Sequence, residues 1–194
     1  MTIDHTTAAA RMADLVAAVP DGALADPTPC TDYTVAGLLD HIHGFARAFT
    51  CAARKDLDPI RQPPGPGSAD RLADDWRAAI PADLQAMAAA WAEPGAQEGM
   101  SMAGGMDFPA EVVAVVAMEE LVVHGWDLAQ ATGARFDAGP ADLSVAASFL
   151  EQIAASGGGP QGAFGPPVTT PDGAPELGRL VGLSGRDPGW SRPG

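Results

Sequence analysis

The groups in this sequence best suited to chemistry are imidazoles and carboxylates at helical spacings. Glu120 and His124, in MEELVVHGWDLA, are four residues apart, which puts both on one face of a helix. Val113 and Ala117 precede them on that stripe, and Leu128 and Ala131 follow. The carboxylate and the imidazole therefore point where apolar residues point. A carboxylate buried that way keeps its charge only beside a cation or a metal. Glu119 is rotated about 100° from Glu120 and is expected at the edge of the helix. A second cluster, LLDHIHGF, holds His41 and His43. They are two residues apart, so they point to different sides of their helix, and both flank its apolar stripe. Spacing leaves both as inward-facing candidates. His5, near the start of the sequence, is expected in solvent.

One imidazole from the His41/His43 pair, with Glu120 and His124, makes a set of two histidines and one carboxylate. Such a set holds a divalent metal and leaves positions for water or substrate, as in catalytic zinc sites; it also suits nickel or iron. Asp127, three residues after His124, can hold a ligand histidine from behind. The alternative for Asp127 is a salt bridge or a surface carboxylate. A plainer arrangement pairs Glu120 with an arginine such as Arg47 and leaves His124 as a core histidine. Trp126, about 200° round from His124, is expected to pack against another helix, and Gly125 to let a neighbouring helix approach. Cys30, in TPCTD just before a helix, is expected to be inert and buried; the alternative is a thiol whose pKa the helix N-terminus lowers. Cys51 is expected to serve in packing.

The composition narrows the partners. Of 194 residues 46% are hydrophobic, which favours a globular protein, and the net charge of −14 repels nucleic-acid backbones and anionic membranes. The apolar stretch from Val112 to Met118 ends at Glu119, well short of the roughly 20 residues a membrane span needs. Two cysteines are too few for a disulfide framework or a four-cysteine zinc site. The first ten residues show no basic segment followed by an apolar run. The expectation is a cytoplasmic protein, monomer or homodimer, that acts on a small molecule.

The elements that must position these groups read as helices. The first spans about Thr6 to Val19. The second starts after Thr34, a good N-cap, with Val35, Leu38, Leu39, Ile42, Phe45, Ala46 and Phe49 at helical spacing. The third covers about Ser68 to Trp91, with Pro81 expected to kink or split it. The fourth runs from about Pro109 to Ala131, is apolar nearly all round, and ends at Gly133. The fifth spans about Pro140 to Ala155, stopped by Gly157-Gly158-Gly159. Six Gly/Pro in the 13 residues from Lys55 to Gly67 mark a loop. No strand is expected. The fold class is all-α: a helix bundle over 1–155 with a long crossover, then a Gly/Pro-rich tail over 156–194. The tail's Phe164, Val168, Leu177, Leu180, Val181, Leu183 and Trp190 are expected to hold it to the bundle, with a short helix near Ala174 to Leu183. Phe164 and Trp190 are candidates for one wall of a pocket.

Three segments carry a resemblance: PTPCTDYTVAGLLDHIHG, MEELVVHGWDLAQATG and AFGPPVTTPDGAPELGRLVGLSGRDP. Together they resemble the metal-binding N-terminal domain of mycothiol-dependent maleylpyruvate isomerase, within the DinB-like superfamily. The resemblance implies a DinB-like four-helix bundle. It implies a metal, typically zinc, on His41, Glu120 and His124, with His43 as the alternative ligand. It also implies a low-molecular-weight thiol such as mycothiol as co-substrate of a thiol S-transferase or related enzyme. The isomerase has a further C-terminal domain that the short tail here does not match, and Tyr33 stands where relatives often have Trp. A metal-dependent hydrolase and a non-catalytic, metal-stabilised binding bundle are the competing expectations.

Overall fold

Thr34 begins the helix on which the site depends: its side-chain oxygen accepts a hydrogen bond from the Gly37 amide, capping α2 (Val35–Arg54). One stripe of α2, including Leu38, Leu39 and Ile42, is fully buried, and each such side chain contributes about 1.5–3 kcal/mol relative to exposure. The computed structural model describes residues 2–63, 65–155 and 165–192. Among them are five further helices: α1 (Thr6–Ala18), α3 (Trp76–Ala92), α4 (Ala110–Thr132), α5 (Pro140–Ala155) and α6 (Glu176–Leu183). α1 and α2 each pack against both α3 and α4, around one hydrophobic core, and α5 covers the outer side of α4. α4 is thus enclosed on most of its circumference, as its all-round apolar character requires. None of these helices is long and apolar enough to cross a membrane.

The structure departs from the all-α expectation in a hairpin. β1 (Met100–Ala103) pairs antiparallel with β2 (Met106–Pro109), Met102 facing Asp107 and Ala103 facing Met106. Gly104 and Gly105, at φ 56° and 77°, make the two-residue turn that only positive φ allows. Buried Ser101 ties the hairpin to α2 by donating to the Ala52 carbonyl at 2.8 Å. Pro81 does not split α3, which continues through it. It sits in the second turn, where it forgoes one backbone bond in a helix supported by buried Trp76, Ile80 and Leu84. The segment from Ser68 is a separate short 3-10 turn at Ala69–Arg71 rather than the start of α3.

Leu180 and Val181 of α6 are buried in the common core, and Trp190 packs against it. The expected stop of α5 at the glycine run, and the role expected for Phe164, lie outside the described residues. Gly125 accommodates the Phe136 ring rather than a neighbouring helix; a Cβ there would stand 2.6 Å from Phe136 Cε2. The Gly/Pro-rich loop crosses α2 at Gly67, where a Cβ would meet the Gly37 carbonyl oxygen at 2.2 Å and His41 Cβ at 3.0 Å. This contact seats the loop on the turn of α2 that carries His41.

Gly67→Ala is therefore expected to push the loop off α2, destabilising the protein by about 1–3 kcal/mol. Gly65→Ala, with open space around it, is the control. Thermal denaturation should show Tm several degrees lower for the first and nearly unchanged for the second. Equal Tm values would contradict the close approach.

Candidate metal centre

α2 brings His41, and α4 brings Glu120 and His124, to one point. Nε2 of His41 and Nε2 of His124 each lie 3.2 Å from the same Glu120 oxygen, Oε2. One ligand atom from each of the three residues lies within 4.8 Å of the other two. The two imidazole rings stand edge to face, 4.7 Å between centroids. Tyr33 stacks on His41 at 5.2 Å and steadies its ring from the side of the loop before α2.

Behind His124 is a second tier. Its Nδ1 donates to Oδ2 of fully buried Asp127 at 2.9 Å, and the Arg186 guanidinium donates to the same oxygen at 3.1 Å. Asp127 is thus a buried carboxylate held between His124 and Arg186, not a surface group. Arg186, just beyond α6, was not singled out in the sequence, although it directly follows the uncharged run LVGLSG. It brings the tail to the centre. Asp127 Oδ1 and Arg186 Nε are buried without a hydrogen-bond partner among the described residues.

The electrostatics follow from burial and these contacts. Burial opposes the charge of Glu120, but hydrogen bonds from His124 and His41 outweigh it and hold its carboxyl well below the usual range. Burial likewise opposes protonation of His124, yet its bonds to Asp127 and Glu120 push it up to about 9. In the metal-free protein the His124 ring therefore donates from both nitrogens. Glu119 is a correction: it is buried and lines the cavity instead of sitting at the helix edge. Burial, reinforced by the charge of Glu120, pushes its carboxyl up to about 8.

Other candidates fall elsewhere. His43 faces α3, with Nε2 3.0 Å from Asp83 Oδ2, outside the group. Arg47 also turns to Asp83, at 4.0 Å, and not to Glu120. His5 is buried, not solvent-exposed: it meets the Ala114 carbonyl at 2.8 Å and lies beside Trp91. Cys30 and Cys51 are both free thiols, and both line the cavity, so Cys51 does more than pack α2. Burial pushes the Cys30 thiol up to about 11, opposite to an activated nucleophile. Trp190 packs on the core and does not line the cavity; Arg186 and Ser184 supply that wall instead.

The three donors open onto a cavity of about 1170 Å³. That is at or above the usual range for a small-molecule site, about 300–1,000 Å³. Two imidazole nitrogens and a carboxylate oxygen suit a divalent ion, and with Asp127 accepting from Nδ1, Nε2 is the His124 nitrogen that would bind one on losing its proton.

The family described as mycothiol maleylpyruvate isomerase N-terminal domain matches residues 5–129, a span that includes all three donors and Asp127. Two proteins of Mycobacterium tuberculosis described as uncharacterised, from strains CDC 1551 / Oshkosh and H37Rv, are each 28% identical over 141 residues. Those residues are 73% of this chain and 71% of each relative. No solved structure gives a match.

Two predictions follow from the electrostatics. Glu119 and His124 hold protons in the folded state above their ordinary values of 4.5 and 6.5. The stability they contribute is complete below those values and is lost as pH rises toward about 8 and about 9. Chelator-treated protein should lose Tm between pH 6.5 and 9. Saturating zinc should offset that loss, because metal and proton compete for His124 Nε2. A metal-free Tm that rises over this range would contradict the assignment. Secondly, Asp127→Asn should weaken metal affinity about 10–100-fold, measured by competition with a chromophoric chelator, while His43→Ala leaves it unchanged.

Proposed function

The chain belongs to the mycothiol maleylpyruvate isomerase N-terminal domain family, and from that premise we propose that it is a metal-dependent enzyme of thiol transfer, built on a DinB-like four-helix bundle. The observation that carries the reading is the convergence of two imidazole nitrogens on one half-buried carboxylate oxygen, at the wall of a cavity large enough for two small reactants. His41, Glu120 and His124 would hold the ion, zinc by the chemistry of the donor set. A divalent ion so held supplies Lewis acidity that makes a neighbouring thiol or water easier to deprotonate.

The thiol is of low molecular weight, mycothiol by the family's description. The reaction forms a C–S bond from R–SH: with a halide R′–X the C–X bond breaks and HX leaves, with an epoxide a ring C–O bond breaks and the oxygen takes the proton, and with an activated alkene the C=C π bond breaks and carbon takes it. The residues of the chain set its conditions. Asp127, held by Arg186, keeps His124 in one tautomer and orientation. Tyr33 packs on His41 and shields it from water. Glu119 places a carboxyl with a raised pKa beside the cavity, where it can exchange a proton near neutral pH. The cytoplasm, where small thiols stay reduced, is the matching location.

Protein purified without chelator or His-tag should carry close to one metal ion per chain by elemental analysis. His41→Ala and His124→Ala should lose it while keeping helical content. A screen of thiols against epoxides, halides and activated alkenes should show turnover that disappears in both variants. Metal retained in both variants would overturn the ligand assignment. Metal bound as expected, with thiol adducts never formed and ligands only retained, would favour the binding-protein alternative.

A further inference from the structure

The cavity has two unlike ends, and the donors lie between them. Toward the start of α2 and the end of α4 the walls are polar: Thr31, Asp32, Ser184 and Arg186. Toward the end of α2 and the start of α4 they are mainly apolar, with Arg47 and Gln62 the polar exceptions. From His41 the cavity wall climbs α2 through Phe45 to Phe49, with successive ring centroids 5.7 Å and 6.1 Å apart. Val116 and Val112, one and two turns before Glu120, form the facing wall, so the two helices run antiparallel past the cavity. The hairpin closes the chamber with Met102 and Phe108.

The one charged side chain lining this end is Arg47, which is largely exposed and turns to Asp83 on α3. Eight residues from His41 to Phe49 span about 12 Å at 1.5 Å per residue. Met106 also lines the cavity while remaining 46% exposed, so the hairpin tip gives the chamber an apolar rim. Phe45 and Phe49 belong to the core and also line the cavity, and an apolar wall of this kind suits a site that takes an apolar group.

We propose that the chamber formed by Phe45, Phe49, Met102, Phe108, Val112 and Val116 binds the uncharged aryl or alkyl body of the second substrate, with that substrate's reactive end at the His41–Glu120–His124 donors. This deepens the thiol-transfer reading and rests on it for the identity of the reactive end. The hydrophilic reactant then occupies the polar end, beside Arg186. The electrophile is one with a hydrophobic tail up to about 12 Å long, and small dianionic acids fit the chamber poorly.

The test is a homologous series on the metal-loaded protein. Linear alkyl hydroxamates from two to twelve carbons carry a metal-binding head; the matching alkyl carboxamides do not. Calorimetric affinities should rise about two- to fourfold per methylene in both series, as buried CH₂ groups do. The rise should level off at roughly eight to ten carbons, the extended length that fills 12 Å. Hydroxamates should be tighter than carboxamides by a constant factor. Val116→Trp, checked for metal content and helicity, should flatten the rise after the first few carbons. Should that variant not fold, the wild-type series decides alone. Affinity independent of chain length overturns the chamber. A missing offset between the two series, with the length dependence intact, would instead count against the metal reading and leave the chamber standing.

Discussion

A carboxylate set half-buried in the wall of a cavity within an apolar bundle is best compensated on the spot, and in this protein Glu120 is compensated by two imidazoles sharing one of its oxygens. Desolvating an unpaired charge costs several kcal/mol. The contact between α2 and α4 is therefore constrained electrostatically as well as by packing: separating His41 from Glu120 would leave the half-buried carboxylate with His124 alone. Much of the rest of the architecture can be understood as keeping that junction in place. Thr34 fixes where α2 begins, the loop at Gly67 presses on the turn that carries His41, and the tail sends Arg186 back to Asp127.

The same arrangement explains why the centre is balanced for a cation. Without a metal, His124 holds two protons to satisfy Glu120 and Asp127. A divalent ion would take the place of the proton on Nε2 and let the imidazole become neutral, while Asp127 continues to accept from Nδ1. The ion and the proton thus answer the same electrostatic need. This exchange ties metal affinity to pH and fold stability to metal.

Much of this was legible in the sequence where helical period carried it. The spacing of Glu120 and His124, the Thr34 cap and the apolar face of α2 are local patterns, and each became the corresponding feature of the structure. The choice between His41 and His43 was beyond local pattern, because it depends on which side of α2 faces α4 and which faces Asp83 on α3. Glu119 and His5 were misread for one reason: a polar residue was assigned to solvent, whereas α4 is enclosed and the N-terminal segment packs beside Trp91. Arg186 is 59 residues from Asp127, and no periodicity links them. The hairpin did have a signal, Gly104-Gly105 between two four-residue alternating runs, which the helical reading passed over.

His41, Glu120 and His124 are proposed to form a metal centre with a position open to a thiol. X-ray absorption at the zinc edge of zinc-loaded protein, before and after adding a low-molecular-weight thiol, tests it most directly. Such a centre should show only nitrogen and oxygen neighbours at about 2.0–2.2 Å beforehand, with the scattering signature of two imidazoles. A sulfur neighbour at about 2.3 Å should then appear with the thiol. Sulfur already present before any thiol is added would put Cys30 or Cys51 in the ligand set and contradict the assignment. An unchanged nitrogen and oxygen shell after thiol addition would contradict the open position.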